Sequence, residues 1–439
     1  MRFCSVTLGC KVNQYETQAI EGILAARGHM RLSPGAGCDV CIINTCAVTS
    51  ESAGKSRQAV RRMKKLEPGA IIAVCGCLAQ LEPSVISEIG ADLIGGAGDR
   101  RGFALELEHL FESGAGNTGF GIPDSEFELL PPGSVGGRTR ALLKIQDGCD
   151  NFCSYCVIPH ARGRARSLPP EQAEEYARQL GIQGFLEIVV TGIEISSYGV
   201  ERSNGRGHGS ESRGNAELVD VLRRISAAAP YSRLRLGSLD PGLITEDFCF
   251  GLSGIGKLCN HFHLSLQSGC DGTLRRMGRM YSANAAQEAI SSLRRHFADC
   301  GITADLITGF PGETEAEFEQ TLGFIKDAAF SGMHIFPFSP RPGTSAAAMP
   351  EQIEKSVRLE RARIASTVAA DMSRVFRLGQ VGKTVEVLFE RERGGYWLGH
   401  SGNYLEVAVK NGGPKNSMRP VLITGAEGDM VVGELRVES

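Results

Sequence analysis

The sequence has no long apolar run. Within its 439 residues, no stretch approaches the roughly 18 consecutive apolar residues of a membrane-spanning helix. The first ten residues also lack the apolar core of a signal peptide. We therefore expect a cytoplasmic protein with no membrane partner. The chain is too long for one ordinary core, so the length predicts roughly three domains.

The sequence also has little net charge and few aromatic residues. The formal net charge is −3 and aromatic side chains make up 6%, so the overall charge gives no case for nucleic-acid binding. Basic residues are nevertheless clustered in two places: Lys55, Arg57, Arg61, Arg62, Lys64 and Lys65, and Arg138, Arg140, Lys144, Arg162, Arg164 and Arg166. Either cluster could follow a phosphate backbone or form a solvated surface.

Cysteine, in contrast, is plentiful. The chain has 14 cysteines, and in a large cytosolic protein such thiols are kept reduced. Metal or redox chemistry is therefore a better explanation than disulfide bonds.

The order of the predicted elements indicates an α/β fold in three parts. In residues 1–115, strands near 40–44 and 70–74 alternate with helices near 14–27 and 50–66, which predicts an N-terminal parallel α/β (Rossmann-like) domain. Residues 116–137 are rich in Gly, Pro and Ser and are predicted to be a linker.

Residues 138–375 repeat a strand and a helix six times, which predicts a central open (β/α)6 partial TIM barrel. The strands are expected near 142–146, 186–190, 234–238, 262–266, 302–307 and 333–336. In such barrels the chemistry lies at the carboxyl ends of the strands. The insertion 202–214, rich in Gly, Ser and Arg, is predicted to be a mobile loop.

Residues 376–439 show short alternating strands with glycine turns, which predicts a small all-β barrel of the OB-like kind. Such barrels bind nucleic acid through exposed aromatic side chains. Tyr396, Trp397 and Tyr404 are the candidates for stacking, and packing in the barrel core is the alternative.

Three cysteines follow the first barrel strand with C-x3-C-x2-C spacing: Cys149, Cys153 and Cys156. Three thiolates so close together can hold one iron–sulfur cluster and leave one iron open for a small molecule. Structural zinc with His160 as a fourth ligand is the alternative.

This run resembles the cysteine motif of the radical S-adenosylmethionine (SAM) superfamily. Five segments are similar to methylthiotransferases in particular: residues 9–16 (GCKVNQYE), 44–49 (NTCAVT), 76–80 (GCLAQ), 147–163 (DGCDNFCSYCVIPHARG) and 263–269 (HLSLQSG). The resemblance covers essentially the whole chain and implies two [4Fe–4S] clusters with SAM as the further cofactor.

The resemblance implies that Cys149, Cys153 and Cys156 are catalytic and hold the cluster that cleaves SAM to a 5′-deoxyadenosyl radical. It implies a second cluster on three cysteines that each follow a predicted strand: Cys10, Cys46 and Cys77. By the same resemblance, that cluster is expected to carry a sulfur that another SAM molecule methylates. Without the resemblance, these three would be read as buried structural cysteines, as Cys38, Cys41 and Cys75 are.

The predicted SAM-binding residues lie after the remaining strands. By resemblance they are Thr191, Gly192, Ser238, Gln267, Gly309, Gly312 and Glu313. Each alone is equally compatible with an ordinary turn. Glu194 occupies a variable position and receives no role.

The substrate is inferred from finer resemblance. Residues 11–13 (KVN), 147–152 (DGCDNF) and 193–199 (IEISSYG) look most like the branch that adds a methylthio group to C2 of N6-threonylcarbamoyladenosine next to the tRNA anticodon. The alternatives are isopentenyladenosine, a ribosomal-protein aspartate, a radical SAM methylase without the second cluster, and a non-catalytic zinc-containing RNA-binding protein.

The resemblance also implies the partners. Residues 382–387 (GKTVEV) and 399–404 (GHSGNY) resemble a TRAM domain that holds the tRNA anticodon stem-loop. A flavodoxin or ferredoxin as electron donor and a separate sulfur donor are expected, and the protein is expected to be a monomer.

Overall fold

A computed structural model describes residues 1–114, 126–132, 137–202 and 211–436, without the side chains of 211–214. Most of the predicted linker and of the predicted insertion lies outside these residues. Within the described ranges, no helix is both long and apolar enough to cross a membrane.

The N-terminal domain is a parallel sheet covered by helices on both faces, with strand order β2-β1-β3-β4-β5. Its elements are β1 (Arg2–Thr7), α1 (Lys11–Ala26), β2 (Met30–Arg31), β3 (Val40–Thr45), α2 (Ser50–Leu66), β4 (Ile71–Gly76), α3 (Cys77–Leu81), α4 (Pro83–Glu88), β5 (Leu93–Ile94) and α5 (Arg100–Ser113). Every residue of β3 is buried, as is usual for a parallel strand covered on both faces. The predicted Rossmann-like architecture is confirmed.

The central domain is an open parallel sheet with strand orders β10-β9-β6 and β11-β12-β13-β14. Its elements are β6 (Arg140–Lys144), β7 (Gln146–Asp147), α6 (Ile158–Arg162), β8 (Arg166–Ser167), α7 (Pro170–Ile182), β9 (Glu187–Thr191), α8 (Glu211–Ala228), β10 (Arg233–Leu236), β11 (Ser238–Leu239), α9 (Glu246–Ser253), β12 (His261–Gln267), α10 (Asp271–Met277), α11 (Ala283–His296), β13 (Gly301–Thr308), α12 (Glu315–Ala328), β14 (Gly332–Pro337), α13 (Ser345–Ala348) and α14 (Lys355–Leu378). Because only Gly237 separates β10 from β11, the two sheets form one open barrel wall, as predicted.

The C-terminal domain is a closed five-stranded barrel with strand order β15-β16-β17-β19-β18. Its strands are β15 (Thr384–Arg393), β16 (Tyr396–Ser401), β17 (Glu406–Val409), β18 (Ser417–Glu427) and β19 (Met430–Leu435). Helix α14 continues to Leu378, so its last turn runs past residue 376. A small closed β-barrel is what the sequence predicted.

Helix α1 joins the N-terminal domain to the inner face of the central sheet. Tyr15 and Ala19 of α1 pack with Leu142 of β6 and Val189 of β9 in one buried cluster. The Tyr15 hydroxyl also donates a hydrogen bond to the carbonyl oxygen of Leu130, at 3.0 Å. The first helix therefore lies inside the open barrel, and the start of that helix is brought close to the barrel's chemistry.

The C-terminal barrel packs against the amino ends of the central strands. Arg233 and Arg235 of β10 both pair with Glu187 at the start of β9, at 2.7 and 2.8 Å. The same two guanidinium groups donate to the backbone oxygens of His400 and Ser401, at 2.8 and 2.9 Å. A buried carboxylate thus orients two arginines that hold the third domain in place.

Candidate iron–sulfur centre

The three N-terminal cysteines lie where three neighbouring strands of the sheet end. Cys10 follows β1, Cys46 follows β3, and Cys77 begins α3 directly after β4. Gly9 has a φ of +95°, and a β-carbon there would lie 2.7 Å from the sulfur of Cys46. Only glycine therefore lets the loop of Cys10 come this close to Cys46.

The surroundings of these three thiols favour their protonated form. Loss of hydration raises the pKa of each thiol, and proximity of the others adds to it, since Cys46 acts on Cys10, Cys77 on Cys46 and Cys10 on Cys77. The guanidinium of Arg162 acts in the opposite direction on all three. The arrangement suits thiolates whose negative charge is shared with a metal cluster and an arginine.

The central cysteines lie on one loop after β7. Gly148, with φ +71°, precedes them, and a β-carbon there would meet the backbone oxygen of Arg164 at 1.9 Å, so the loop is closed too tightly for another residue. Burial raises the pKa of Cys149 to about 12 and that of Cys156 to about 11. Cys153 accepts a hydrogen bond from the Arg279 guanidinium, at 3.3 Å.

Neither set of cysteines forms a site for a single metal ion. In the part of the chain that the structure describes, no three His, Cys, Asp or Glu side chains converge on one ion position. A zinc ion requires sulfur ligands about 2.3 Å from one point, whereas in a four-iron cluster each thiolate binds a different iron. His160, the predicted fourth zinc ligand, is exposed and makes an edge contact with Phe152.

The two cysteine loops face each other across the domain boundary. Cys77 and Leu78 of α3 belong to the same packed cluster as Val157, Ile158 and Ala161, which directly follow the central cysteines. Cys77 also contributes to the raised pKa of Cys156, after burial and Cys153. The carboxyl ends of the N-terminal sheet and of the open barrel are therefore directed at one shared region.

A buried ionic network fixes this junction, and Arg162 is at its centre. Its guanidinium contacts Glu16 at 2.8 Å, Asp147 at 3.0 Å and the side-chain oxygen of Asn13 at 2.8 Å. Its Nε atom has no hydrogen-bond partner among the described residues. Since the Cys77 thiol lies beside the guanidinium, this N–H is available to a cluster sulfur, which is one way a protein tunes such a cluster.

The network has more positive than negative charge. Glu16 and Asp147 supply two carboxylates, and four buried cations surround them: Arg100, Lys144, Arg162 and Arg166. Four cations against two carboxylates leave an excess of two positive charges beside the thiols. This excess suits thiolate ligands, and it shows that Lys144, Arg162 and Arg166 do not follow a phosphate backbone.

The predicted SAM-binding residues lie at the carboxyl edge of the central sheet, and several already have structural partners. A β-carbon at Gly192 would contact the side chain of Gln146 at 2.9 Å. Gln267 ends β12 with a φ of +65°. Glu313 accepts hydrogen bonds from the Gly309 amide at 2.9 Å and from Arg361 at 2.7 Å. The SAM contacts at these positions stay predictions, as do those at Thr191, Ser238 and Gly312.

Sequence reasoning missed two polar residues at this edge, Arg279 and Asp240, and gave no role to a third, Glu194. Arg279 donates to Asp240 at 2.6 Å as well as to Cys153. Burial and the neighbouring Asp240 raise the pKa of Glu194 to about 7. Glu194 and Asp240 could have been found from their positions, because each lies within three residues of the end of a strand. Arg279 follows a helix, so its position in the sequence does not indicate a site residue.

The aromatic candidates of the C-terminal barrel fall into two groups. Tyr404 lies between His261 and His400, with ring centroids at 4.6 and 4.9 Å, and Trp397 packs against the barrel core. Core packing, the alternative, therefore fits Trp397, whereas Tyr404 is 38% exposed and its ring stacks at the contact between two domains. Tyr396 is 40% exposed and stays a candidate for stacking on a base.

Comparisons with known proteins identify the class. Residues 143–325 match the family described as the radical SAM superfamily, and residues 2–96 match the uncharacterized protein family UPF0004. A solved structure of the radical SAM methyltransferase TsrM from Kitasatospora setae has a TM-score of 0.56 and 15% identity, and covers 79% of this chain and 77% of that one. The chain is a radical SAM enzyme, and this class implies one [4Fe–4S] cluster and SAM.

Closer relatives give the family. A threonylcarbamoyladenosine tRNA methylthiotransferase (MtaB) of Bacillus subtilis is 35% identical, with 92% of this chain and 89% of that protein covered. The protein of the same name from Thermotoga maritima is 34% identical, covering 88% and 85%. A tRNA-2-methylthio-N(6)-dimethylallyladenosine synthase of Moorella thermoacetica is 31% identical, covering 88% and 87%. The chain belongs to the radical SAM tRNA methylthiotransferases, as its motifs indicated.

Proposed function

We propose that this enzyme transfers a methylthio group to C2 of N6-threonylcarbamoyladenosine next to the tRNA anticodon, with SAM as both methyl donor and radical source. The names of its relatives support this substrate, since proteins from four organisms named for threonylcarbamoyladenosine are 32–35% identical to this chain. The segments at residues 11–13 and 193–199 support the same branch.

The observation that carries the proposal is the meeting of two cysteine sets across the domain boundary, with a surplus of buried positive charge between them. Cys149, Cys153 and Cys156 would hold one [4Fe–4S] cluster, and Cys10, Cys46 and Cys77 a second. When bound, the first cluster with SAM supplies the radical chemistry and the second supplies the sulfur.

The chain's own residues position these groups and exclude other reactions. Arg162 and its carboxylate partners would fix the distance between the clusters, and Arg279 would orient the Cys153 thiolate by a hydrogen bond to its sulfur. Thr191, Gly192, Ser238, Gln267, Gly309, Gly312 and Glu313 would line the SAM pocket. Glu194, whose buried carboxyl group has no cationic partner within ion-pair distance among the described residues, would take part in the same pocket.

The partners follow from this activity. The C-terminal barrel would hold the anticodon stem-loop, as the TRAM-like segments imply. A flavodoxin or ferredoxin would donate electrons, and a separate donor would replace the sulfur that is used. We place the enzyme in the cytoplasm as a monomer.

Nucleoside mass spectrometry of tRNA from cells with and without the gene tests the proposal. We expect loss of the 2-methylthio derivative and accumulation of N6-threonylcarbamoyladenosine in the deletion strain, with restoration by the wild-type gene but not by Cys10→Ala. Relatives named for dimethylallyladenosine, such as that of Moorella thermoacetica, make this nucleoside the second candidate. Loss of its methylthio form instead would replace the proposed substrate.

A further inference from the structure

A cavity of about 460 Å³ opens where all three domains meet. Helix α1 contributes Lys11 and Gln14, the central domain contributes residues 137–140, Leu142 and Val189, and the C-terminal barrel contributes Glu390, Arg391, Tyr404 and Lys415. Its volume lies within the usual range for small-ligand sites. Lys11 directly follows Cys10, so one wall of the cavity is formed by the residue next to a proposed ligand of the sulfur-donating centre.

The carboxylates near this cavity are already paired. Glu390 lies 3.1 Å from Arg140 and 3.1 Å from His400. Glu187, the carboxylate beneath the cavity, is held by Arg233 and Arg235. The anionic groups inside the junction are therefore neutralised by cations other than Lys11.

Lys11, in contrast, does not neutralise either of these two carboxylates by an ion pair. Its side chain is exposed on the wall of the cavity, and no carboxylate forms an ion pair with it in the part of the chain that is described. Five cationic side chains line the cavity (Lys11, Arg138, Arg140, Arg391 and Lys415) against one carboxylate, that of Glu390. Glu187 also lies close enough to act on the Lys11 ammonium, but it is already paired with Arg233 and Arg235. An ammonium group in a mostly cationic cavity, without an ion pair to a described carboxylate, favours an anionic ligand.

We propose that Lys11 binds the carboxylate of the threonylcarbamoyl group and thereby selects this nucleoside over dimethylallyladenosine. This inference rests on the proposed function. The threonylcarbamoyl group attached to N6 ends in the free carboxylate of its threonine part, whereas the dimethylallyl group is an uncharged hydrocarbon. The base must lie near the sulfur-donating centre at Cys10, so the neighbouring lysine is placed to reach a group attached to that base.

Lys11 should affect the binding of the two nucleosides in opposite directions. A charge-assisted hydrogen bond contributes more than a neutral one. An apolar substituent in the same place would cover the ammonium without pairing it, and an unpaired buried charge is costly. Lys11 would thus both attract the anionic substrate and disfavour the apolar one.

Binding of three anticodon stem-loops to the anaerobic holoenzyme tests this role by fluorescence anisotropy. The stem-loops carry N6-threonylcarbamoyladenosine, its carboxamide analogue, or dimethylallyladenosine. We expect Lys11→Gln to raise the Kd of the first RNA by about tenfold to a hundredfold. The Kd values of the other two should change by less than about twofold, and Lys11→Arg should restore much of the first.

Lys415→Gln is the matched control, since Lys415 lines the same cavity but lies far from Cys10 in the chain. It should change the affinities of all three RNAs alike or not at all. An equal loss for the carboxylate and carboxamide RNAs in Lys11→Gln would overturn the assignment, as would no loss. SAM cleavage without RNA checks that each variant is folded.

Conversion of each RNA by the wild-type enzyme distinguishes an error about Lys11 from an error about the substrate. If the wild-type enzyme converts the threonylcarbamoyl RNA and Lys11→Gln binds it as tightly as before, only the role of Lys11 is wrong. If the wild-type enzyme converts only the dimethylallyl RNA, the proposed substrate itself is wrong, and with it the carboxylate partner.

Discussion

The guanidinium of Arg162 lies 2.8 Å from the carboxylate of Glu16, and the two side chains are 0% and 1% exposed. Arg162 belongs to the segment after the central cysteines and Glu16 to the first helix of the N-terminal domain. Their contact, rather than an apolar interface alone, fixes the two cysteine-bearing loops relative to each other.

Breaking this pair should destabilise the protein strongly. Glu16→Gln leaves Arg100, Arg162 and Lys144 without their shared carboxylate, and loss of one partner from a buried ion pair costs about 3–5 kcal/mol. Chemical denaturation of the anaerobic holoenzyme measures the change. Arg164→Ala, which removes an arginine that is 86% exposed and pairs with Asp150, is the control and should change the free energy of unfolding by less than about 1 kcal/mol. Equal effects would contradict the role given to Glu16.

Two sets of cysteine variants should separate the two proposed clusters. Replacing Cys10, Cys46 and Cys77 together with Ala should leave about half of the iron and preserve SAM cleavage to deoxyadenosine, while sulfur insertion into RNA is lost. Cys153→Ala should instead abolish deoxyadenosine formation. Iron analysis and product chromatography provide the measurements. Cys75→Ala, at a buried cysteine beside the N-terminal set, is the control, and full iron content in the triple variant would rule out the second cluster.

The contribution of Glu187 to the stability of the domain junction should depend on pH. Burial opposes ionisation of this carboxyl group, but Arg235 and Arg233 outweigh it and lower its pKa from 4.5 to about 2. The resulting stabilisation, about 3 kcal/mol, is fully present above pH 4.5 and is lost as the pH falls toward 2. Glu187→Gln should therefore destabilise the protein at pH 7, and the difference from wild type should shrink between pH 4.5 and 2. A constant difference across this window would contradict the assignment.

Tyr396 should contribute to RNA binding. It is the exposed aromatic residue of the C-terminal barrel whose ring is not used in domain packing, and stacking on a base is worth about 1–3 kcal/mol. Tyr396→Ala should weaken stem-loop binding by about tenfold, measured by anisotropy at fixed salt. Phe250→Ala, which removes a ring that is 71% exposed on helix α9, should leave affinity unchanged. Equal affinities of Tyr396→Ala and wild type would remove this residue from the RNA surface.

The sequence predicted the fold well because its strands are short, apolar and regularly spaced. All six barrel strands lie within a few residues of their predicted positions. The pattern also placed cysteines at strand ends, although only the resemblance singled out Cys10, Cys46 and Cys77 as ligands. The resemblance of the motifs then correctly indicated the family. Cys46 and Cys77 are examples of cysteines at strand ends, since each directly follows a buried strand.

The contacts between domains could not be predicted from the sequence. Glu16 ends one of the segments that resemble methylthiotransferases, but a glutamate on a helix is usually solvated. Its burial here depends on Arg162, which is 146 residues away in the chain. Comparably long separations in the chain apply to Arg279 beside Cys153, 126 residues apart, and to Tyr404 beside His261. A local sequence pattern predicts which face of a helix or strand is buried. It does not predict which distant charged side chain that face will contact.

The most direct test is a reaction of the anaerobically reconstituted enzyme with SAM, a low-potential reductant and a stem-loop carrying N6-threonylcarbamoyladenosine, followed by mass spectrometry of the RNA and the nucleosides. We expect a methylthio group on C2 of this adenosine together with deoxyadenosine, and neither a methylthio group on the RNA from the Cys10, Cys46 and Cys77 triple variant nor deoxyadenosine from Cys153→Ala. Deoxyadenosine without any modified RNA, or methylthio transfer that survives in the triple variant, would contradict the account.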